Sequence, residues 1–583
     1  MSGTAATSEP AFARPLGPRG SREPVGDPDP AGVLTADALA VLATLPAWWE
    51  RRAHAYGLTG RWLDLRTAID AAFLDAPITS APRADLVASN PEALGAAYVA
   101  ALTPATRATH GRHYTPPELS EHLWTMTRRA LGATRGKVRP LPGLVRDPAC
   151  GAGVLLLPPL REHLNSIVRS DPRVTLAGLP NFIEGVDADP AAVAMANVVL
   201  AAEALPLLAA TPEARRRPIP GMARVGDGLE LPEGRARAVV MNPPYGRVRL
   251  ADSDRARFAD VLYGHANLYT LFMAAGLEQL DHSGVLGALV PTSFTAGRYF
   301  TNLRAKLARV APLRDTTFVA ERDGVFAGVL QETCLAVFAK TRSRRTSIAS
   351  VNGHVSDVAK VPTPRGAGPW VLPRRSDDAP VAAAATKMRQ TLGTIGWRCS
   401  TGPLVWNRRK DDLSAEASEQ RVPVIWAADI DGGLLHRDPR RDHLRFLALH
   451  GTKDQNTNVL VSPALLVQRT TAPEQTRRIV CAELTDTALG TWGGSVVVEN
   501  HVNVLRPRDV AAAGPLSQAT LAAVLGTQCI DRLVRCLSGS VALSAYELEA
   551  LPLPDDDVLA GWERLRGADL ERAVAASYGG EAR

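Results

Sequence analysis

The chain lacks the sequence patterns of metal-binding, disulfide-linked and membrane-spanning proteins. Its six cysteines form no Cys-x-x-Cys pair, and its 12 histidines form no His-Glu-x-x-His motif or comparable ligand spacing. These absences argue against a zinc site and a disulfide framework, so we predict no metal ligands and reduced thiols. No apolar run reaches 18 residues and the N-terminus carries no signal-peptide pattern, so we expect a soluble, cytoplasmic protein without a membrane partner.

Length and composition indicate a globular protein with more than one domain. The 583 residues exceed what one ordinary core organises, which predicts two or three domains. Hydrophobic residues make up 46% and charged residues 22% of the chain, as in ordinary globular proteins. The net charge of +6 suits a polyanionic partner, although a value this mild is not specific for one.

The residue pattern changes several times along the chain. The first residues are rich in Pro, Gly, Ala and Ser, which predicts disorder. Later, short apolar runs alternate with helical stretches, which predicts a doubly wound α/β domain with a parallel sheet. The predicted spans are a disordered tail (1–32), a helical N-terminal region (33–110), the α/β domain (111–340), a linker (341–390), a mixed α+β region (391–560) and a C-terminal helix with its tail (561–583).

The segment Asn242-Pro243-Pro244-Tyr245 directly follows the apolar run 238–241. The pattern predicts a buried parallel strand that ends abruptly, and ligands of open α/β sheets bind beyond such strand ends. The Asn242 amide oxygen and the Pro243 carbonyl can both accept hydrogen bonds from one exocyclic amino group, while the Tyr245 ring stacks on the attached base. The segment therefore indicates a site for an aminopurine or aminopyrimidine, with an ordinary loop as the alternative.

Three turns upstream of this segment also follow candidate strands. Small residues at 147–153 let a ligand approach the backbone, and Asp147 could receive a cationic amino group. Asp187 ends the next candidate strand, where a carboxylate commonly binds a ribose diol, whereas Asp189 is expected to cap the helix beginning at Pro190. Asp227 would end a third strand, although a simple turn aspartate is the better reading of it alone. The order of the motifs is more informative than any member.

The segment 111–119 precedes these turns and predicts the start of a helix. Thr115 can cap a helix whose first residue is Pro116, the type favoured at that position. The same helix start could contact a ligand carboxylate through its backbone N–H groups.

In this order the motifs resemble the γ-class adenine-N6 DNA methyltransferases of type II restriction–modification systems. The resemblance covers about 105–340, and its later parts are 267–280, 284–294 and 324–340. A looser resemblance to DNA target-recognition domains lies in 397–409 and 521–554. The implied fold is α/β: a Rossmann-like class I methyltransferase sheet with a helical N-terminal region and a mixed α+β C-terminal target-recognition domain.

The resemblance also implies residue roles. Thr115, Asp147, Ala149, Gly151 and Gly153 would hold the methionine end of S-adenosylmethionine, Asp187 its ribose and Asp227 its adenine. Asn242 and Pro243 would accept from the target amino group within the catalytic segment that includes Pro244, and Tyr245 and Phe326 would pack on the base. Two positions depart from the family pattern: Cys150 stands where Phe is frequent, and Gly228 stands where an apolar residue often covers the cofactor adenine.

The implied function is site-specific transfer of a methyl group from S-adenosylmethionine to a flipped-out adenine in double-stranded DNA. The enzyme would act as a monomer, and a cognate restriction endonuclease would be its functional partner. The alternatives are cytosine-N4 methylation, RNA or protein-glutamine methylation, and a DNA-binding defence subunit without turnover. Arginine-rich pieces at 342–345, 408–410 and 440–441 are candidate phosphate contacts, with solvated surface charge as the alternative.

Overall fold

The structure is a computed structural model, and it forms two compact units. It describes residues 34–73, 80–103, 114–132, 139–167, 171–319, 332–471, 476–509, 514–539 and 542–579. The first unit contains the described residues up to Pro291 together with Asn302–Arg344, and the second contains Thr292–Thr301 and the described residues from Arg345 onward. Within these ranges no helix has both the length and the apolar character needed to cross a membrane.

Helices and strands alternate along most of the first unit. Its helices are α1 (Ala36–Ala55), α2 (Leu65–Ala68), α3 (Pro91–Ala101), α4 (Pro117–Ala130), α5 (Leu157–Ser166), α6 (Pro172–Gly178), α7 (Pro190–Glu203), α8 (Leu205–Ala210), α9 (Asp252–Arg257), α10 (Leu268–Gln279) and α11 (Thr301–Val310). Its strands are β1 (Ile69–Asp70), β2 (Val145–Asp147), β3 (Ile183–Asp187), β4 (Ile219–Pro220), β5 (Ala223–Val225), β6 (Ala236–Met241), β7 (Arg247–Val248), β8 (Ala266–Asn267), β9 (Leu280–Pro291), β10 (Leu313–Val319) and β11 (Thr333–Ala339).

Seven of these strands form the central sheet of the first unit, in the order β5-β3-β2-β6-β9-β11-β10. The five strands from β5 to β9 are parallel, and β11 is antiparallel to both of its neighbours. Helices lie between β2 and β3, between β3 and β5, and between β6 and β9, whereas β5 and β6 are joined without a helix. The predicted doubly wound α/β sheet is therefore confirmed, but the sheet is mixed because β11 runs antiparallel to its neighbours.

Strand β6 and helix α10 form part of the buried centre of this unit. Five of the six residues of β6 are buried, as expected for a parallel strand that is covered on both faces. Helix α10 is buried at 11 of its 12 residues. It approaches the strand closely because Gly276 leaves room for Met241, whose Cε atom lies 2.7 Å from where a Cβ would be. The strand that precedes Asn242 is thus held by direct helix packing.

The helical N-terminal region predicted around the tryptophans is present and belongs to the same unit as the sheet. Helix α1 packs on α3 and α7, and Trp48, Trp49 and Trp62 are fully buried. Arg161 of α5 joins Glu92 of α3 at 2.6 Å and Glu203 of α7 at 2.7 Å. The hydroxyl of Tyr98 in α3 donates to Asp189 Oδ2 at 2.7 Å. The N-terminal helices are therefore bonded directly to the start of α7.

The second unit is mixed α and β. Its helices are α12 (Ala379–Ala385), α13 (Gly451–Asn458), α14 (Asp486–Thr491), α15 (Gln518–Leu525), α16 (Gln528–Leu537), α17 (Ala545–Glu549), α18 (Asp556–Glu563) and α19 (Gly567–Ser577). Its strands are β12 (Arg345–Asn352), β13 (His354–Pro362), β14 (Gln390–Thr391), β15 (Trp397–Thr401), β16 (Leu413–Ser414), β17 (Arg421–Ile425), β18 (Ile430–Asp431), β19 (Leu434–Leu435), β20 (Phe446–Ala448), β21 (Val459–Leu460), β22 (Ala464–Gln468), β23 (Cys481–Leu484), β24 (Val496–Val498), β25 (Val502–Pro507) and β26 (Pro552–Leu553).

Two sheets organise this unit. One is antiparallel, in the order β15-β25-β22-β23, and the other is mixed, in the order β16-β20-β17-β24-β21. The largest apolar core joins the first sheet to the C-terminal helices and contains Trp397, Trp562 and Tyr578. A smaller core around Val424 and Trp426 supports the second sheet.

Part of the span expected to be a linker is folded. Strands β12 and β13 form an antiparallel hairpin that turns at Gly353, whose φ of +66° favours glycine. The prolines and the Gly-Ala-Gly that suggested a linker all lie after Val361. The hairpin belongs to the second unit, so the expectation of a linker beginning at 341 is corrected here.

Candidate active site

The strand order of the central sheet of the first unit reverses at β2. From there the chain continues through β3 and β5 on one side and through β6 and β9 on the other. Ligands of open α/β sheets bind at this switch point, beyond the carboxyl ends of the strands. Strand β2 ends at Asp147, β3 ends at Asp187, and Asn242 follows the last residue of β6. Three of the residues predicted from the sequence therefore follow neighbouring strands at one edge.

Asp187 binds the glycine-rich turn that follows β2. Its Oδ2 atom accepts from the backbone N–H of Gly151 at 2.9 Å, and Oδ1 accepts from the N–H of Asp189 at 2.9 Å. Gly151 and Gly153 have φ angles of +50° and +84°, in the left-handed region that favours glycine. A Cβ on Gly153 would also lie 3.3 Å from Ala196 of α7. The turn is thus fixed by backbone conformation, by packing and by Asp187.

The carboxyl group of Asp147 is buried within this turn. Its side chain is 1% exposed, and its Oδ1 atom accepts from the backbone N–H of Ala149 at 3.0 Å. Burial raises the pKa of Asp147 to about 8; the Ala149 hydrogen bond opposes this shift and the Asp187 carboxylate adds to it. The site therefore contains a carboxyl group that a neighbouring cation would return to its charged form.

Asp227 lies two residues beyond the end of β5, not at the strand end as the sequence suggested. Its Oδ1 atom accepts from the N–H of Leu229 at 3.0 Å. The next residue must be glycine, because a Cβ on Gly228 would lie 1.7 Å from the carbonyl oxygen of Pro148. This close approach explains the departure from the family pattern: the Asp227 turn packs on the turn after β2 and has no space there for a side chain.

An aromatic residue that the sequence did not single out borders the same turn. Phe272 Cε1 of α10 lies 3.0 Å from where a Cβ on Gly228 would be. Gln279, from the end of the same helix, donates to the carbonyls of Gly228 and Glu230 at 2.9 Å each. The only signal for Phe272 was its place in an apolar helix, a place that core residues share.

The side chain of Asn242 is held by two residues. Its Nδ2 atom donates to Thr115 Oγ1 at 3.0 Å, and its Oδ1 atom accepts from the Tyr245 hydroxyl at 2.9 Å. Each of these two neighbours is a hydroxyl group, and Asn242 lies between them with its nitrogen toward Thr115 and its oxygen toward Tyr245. The structure thus brings Thr115, Asn242 and Tyr245 into one hydrogen-bonded group.

Thr115 does not cap helix α4, so the alternative to its expected cofactor role is wrong. Helix α4 begins at Pro117, its N-cap residue is Pro116, and no side chain caps it. Thr115 lies one residue before the N-cap and is 2% exposed. Its hydroxyl contacts Asn242 instead.

Tyr245 is a protonated hydrogen-bond donor in this arrangement. Burial raises the pKa of its hydroxyl well above the ordinary tyrosine value. The hydroxyl also lies 3.1 Å from the carbonyl oxygen of Leu289, and the ring meets Tyr269 edge to face with centroids 6.1 Å apart. Pro243 and Pro244 between Asn242 and Tyr245 are buried. The segment is therefore constrained at both of its ends.

The remaining predicted residue, Phe326, lies outside the described residues, as do Gly111, Arg112 and His113. Its proposed contact with the base stays a prediction.

Residues 232–326 match the family of Eco57I restriction-modification methylases, and this range contains Asn242 and Tyr245. The chain is similar to restriction–modification methyltransferases. It is 25% identical over 341 residues to the Type II methyltransferase M.PstI of Providencia stuartii, and 22% identical over 331 residues to M.BsuBI of Bacillus subtilis. Each alignment covers 55% of this chain and 65% of the relative, so the chain spans just under two thirds of the relatives' length.

One solved structure supports the fold over most of the chain. The Type IIL restriction-modification enzyme MmeI, determined in complex with DNA, is similar with a TM-score of 0.51 and 13% identity, over 92% of this chain and 88% of that chain. The predicted methyltransferase fold and the resemblance to restriction–modification methyltransferases are confirmed. The γ class and the residue roles stay predictions.

Proposed function

We propose that the protein is a site-specific DNA methyltransferase that transfers a methyl group from S-adenosylmethionine to N6 of a flipped-out adenine. The observation that supports this most is the hydrogen-bonded group of Thr115, Asn242 and Tyr245, which lies at the strand ends that also carry Asp147 and Asp187. The similarity to Type II methyltransferases supports the same reaction class.

The residues at the switch point fit the charges of S-adenosylmethionine. The cofactor carries a cationic amino group and a cationic sulfonium, and Asp147 is a buried carboxyl group whose pKa is raised to about 8. A cation beside Asp147 lowers this pKa and removes part of the cost of burial. Asp187 is half-buried at the end of the adjacent strand, the usual place of a ribose ligand. The bound cofactor would supply an electrophilic methyl group.

Asn242 and Pro243 prepare the target nitrogen for attack. The N6 lone pair is delocalised into the adenine ring, which makes the amine a weak nucleophile. Acceptance of its two hydrogens by the Asn242 side chain and the Pro243 carbonyl favours a tetrahedral nitrogen. An amide oxygen has two lone pairs, so Asn242 can accept from Tyr245 and from the base together. The new N6–CH3 bond would form as the S–CH3 bond breaks, with S-adenosylhomocysteine as the leaving group, and one of the two N6 hydrogens would leave as a proton. No covalent bond between enzyme and base is required, and the rate gain comes from positioning and electrostatics.

The substrate is double-stranded DNA, from which the base must be flipped at a cost of roughly a few kcal/mol. Stacking on Tyr245, and on Phe326, would offset part of this cost. Two features favour a nucleic-acid reader over a small substrate: the net charge of +6 and a second unit with two sheets of its own. The enzyme acts as a monomer in the cytoplasm and protects DNA from a cognate restriction endonuclease.

One experiment tests the reaction and the target base. The protein is incubated with tritiated S-adenosylmethionine and duplex DNA, the DNA is digested, and the labelled nucleoside is identified. The proposal expects N6-methyladenine. Label in N4-methylcytosine would show that the target is cytosine N4 and not adenine N6. Label in RNA or protein but not in DNA would overturn the proposal.

A further inference from the structure

The second unit contains a group of aromatic and basic side chains that the proposed reaction does not use. We call Trp406, Lys410, Trp426 and Arg441 the tryptophan–cation cluster. The two indole rings meet edge to face with centroids 6.2 Å apart. Lys410 Nζ lies 5.4 Å from the centroid of Trp406, and Arg441 Cζ lies 5.1 Å from that of Trp426. Two cations from separate segments are thus held by one aromatic pair.

The cations next to this cluster in the sequence are neutralised by carboxylates. Arg409 pairs with Asp412 and, at 3.0 Å, with Asp454. Arg440 pairs with Asp438 at 2.6 Å. Arg409 and Arg440, two of the candidate phosphate contacts, are therefore already paired with carboxylates.

Lys410 and Arg441 are different. Within the part of the chain that the structure describes, neither forms an ion pair with a carboxylate. Contact with an aromatic face attracts a cation but does not cancel its charge. Both side chains therefore keep a full positive charge that a ligand can use.

Arg469 and His501 are further basic residues of the same unit. The Nε atom of Arg469 is buried without a hydrogen-bond partner among the described residues, and its Nη1 atom donates to Asn500 O at 3.3 Å. Glu499 accepts a hydrogen bond from His501 and raises the pKa of that histidine, whereas the positive charges of Arg469 and Arg441 act to lower it. The Glu499 carboxylate offsets the charge of His501, so Lys410 and Arg441 remain the cations that carry this cluster.

We infer that the tryptophan–cation cluster binds the phosphate backbone of duplex DNA, an inference that rests on the proposed function for the choice of polyanion. Proteins that bind single strands use open aromatic faces on which bases stack. Here Trp426 is 2% exposed and Trp406 is half-buried, and Lys410 and Arg441 each lie over one face of these rings. The cluster therefore presents cations in place of rings, which suits phosphates and not bases. Phosphate contacts of this kind set position and carry no sequence information.

The test compares the salt dependence of duplex binding among charge-matched variants. Fluorescence anisotropy with a labelled duplex gives the binding constant at several salt concentrations for the wild type, Lys410→Gln and Arg441→Gln. Each lost phosphate contact reduces the slope of log K against log salt by about 0.9. Arg440→Gln is the control: it removes the same charge one residue away, from a side chain that is 84% exposed but paired with Asp438. We expect Arg440→Gln to leave the slope unchanged.

Several outcomes would overturn the inference. One is a wild-type slope in Lys410→Gln and Arg441→Gln, and another is an equal reduction in Arg440→Gln. A larger loss on a single-stranded oligonucleotide than on the duplex would assign the cluster to stacking. Lys410→Arg and Arg441→Lys keep the charge and should restore the slope, which separates a charge effect from misfolding. If the variants reduce the slope but the wild type transfers no methyl group, only the proposed function is overturned. If the wild type transfers the methyl group but the variants keep the wild-type slope, only this inference is overturned.

Discussion

The Nδ2 atom of Asn242 donates a 3.0 Å hydrogen bond to Oγ1 of Thr115, a residue 127 positions earlier in the chain. In this arrangement the amide oxygen faces the Tyr245 hydroxyl at 2.9 Å. In the proposed reaction the oxygen must face the target amine, because a rotated amide would present a donor to a donor.

Replacement of Thr115 by valine should therefore slow methyl transfer. Valine keeps the shape of threonine but cannot accept from Asn242, and loss of one such bond costs about 0.5–1.5 kcal/mol, or roughly 2- to 10-fold in rate. Single-turnover kinetics with saturating cofactor should show the loss, and Thr115→Ser should recover most of the rate. A weaker affinity for S-adenosylmethionine with an unchanged rate would instead make Thr115 a cofactor contact, as the family resemblance implies.

Two substitutions of Tyr245 should separate the contribution of its hydroxyl to the transfer rate from that of its ring. Tyr245→Phe removes the donor to Asn242 but keeps the ring, so we expect a loss of only a few-fold in transfer rate. Tyr245→Ala also removes stacking, which costs roughly 1–3 kcal/mol per base. The fluorescence of 2-aminopurine at the target position reports on the flipped base in both variants. Equal losses in the two variants would contradict a stacking role.

Binding of S-adenosylmethionine should tighten as the pH rises from 6 to 7.5. The pKa of Asp147 is about 8 without a ligand, so the carboxyl is mostly protonated at pH 6 and must release a proton before it can pair with an ammonium group. Affinity can then rise by up to about tenfold per pH unit below 8. The range ends at 7.5 because an α-amino group itself titrates near 7.7–8.0.

Isothermal titration calorimetry in buffers of different ionisation enthalpy checks this prediction. It should detect proton release on binding to the wild type at pH 6.5 and little release with Asp147→Asn. Proton uptake, or the same release in the variant, would assign the pH dependence to another group.

Gly228→Ala should destabilise the first unit and weaken cofactor binding. A Cβ at this position would lie 1.7 Å from Pro148 O, so one of the two turns must move, at a cost of about 1–3 kcal/mol. Gly234→Ala is the matched control, because a Cβ there meets nothing within 4 Å. Thermal unfolding should show a lower Tm only for Gly228→Ala. A Tm equal to that of the control would mean that the two turns are not tightly packed.

The sequence predicted those parts of the site that depend on local order along the chain. Asp147, Asp187 and Asn242 each follow an apolar run, and the carboxyl ends of parallel strands meet at one edge. The partner of Thr115 was not predictable, because the bond joins segments that are far apart in the chain and that only the fold brings together. The requirement for Gly228 likewise depends on where a different turn lies.

Adjacent residues of the same type show a second limit. Arg440 and Arg441 have identical side chains and neighbouring positions, yet one pairs with Asp438 and the other lies over Trp426. Charge patterning marks both as candidate phosphate contacts. Both arginines lie in the short 3-10 helix Pro439–Leu444. Only the direction of each side chain from that helix separates a neutralised cation from an available one.

The hydrogen bond from Tyr98 to Asp189 has a practical consequence for protein engineering. Asp189 caps α7 and lies two residues after Asp187, so the anchoring of α3 continues directly into the segment that holds the glycine-rich turn. A chimera whose donor fragment starts at the sheet would leave this polar cap without its neighbour and expose the apolar faces beneath α1 and α3. We therefore expect the smallest fragment of the first unit that folds on its own to include α1 and α3.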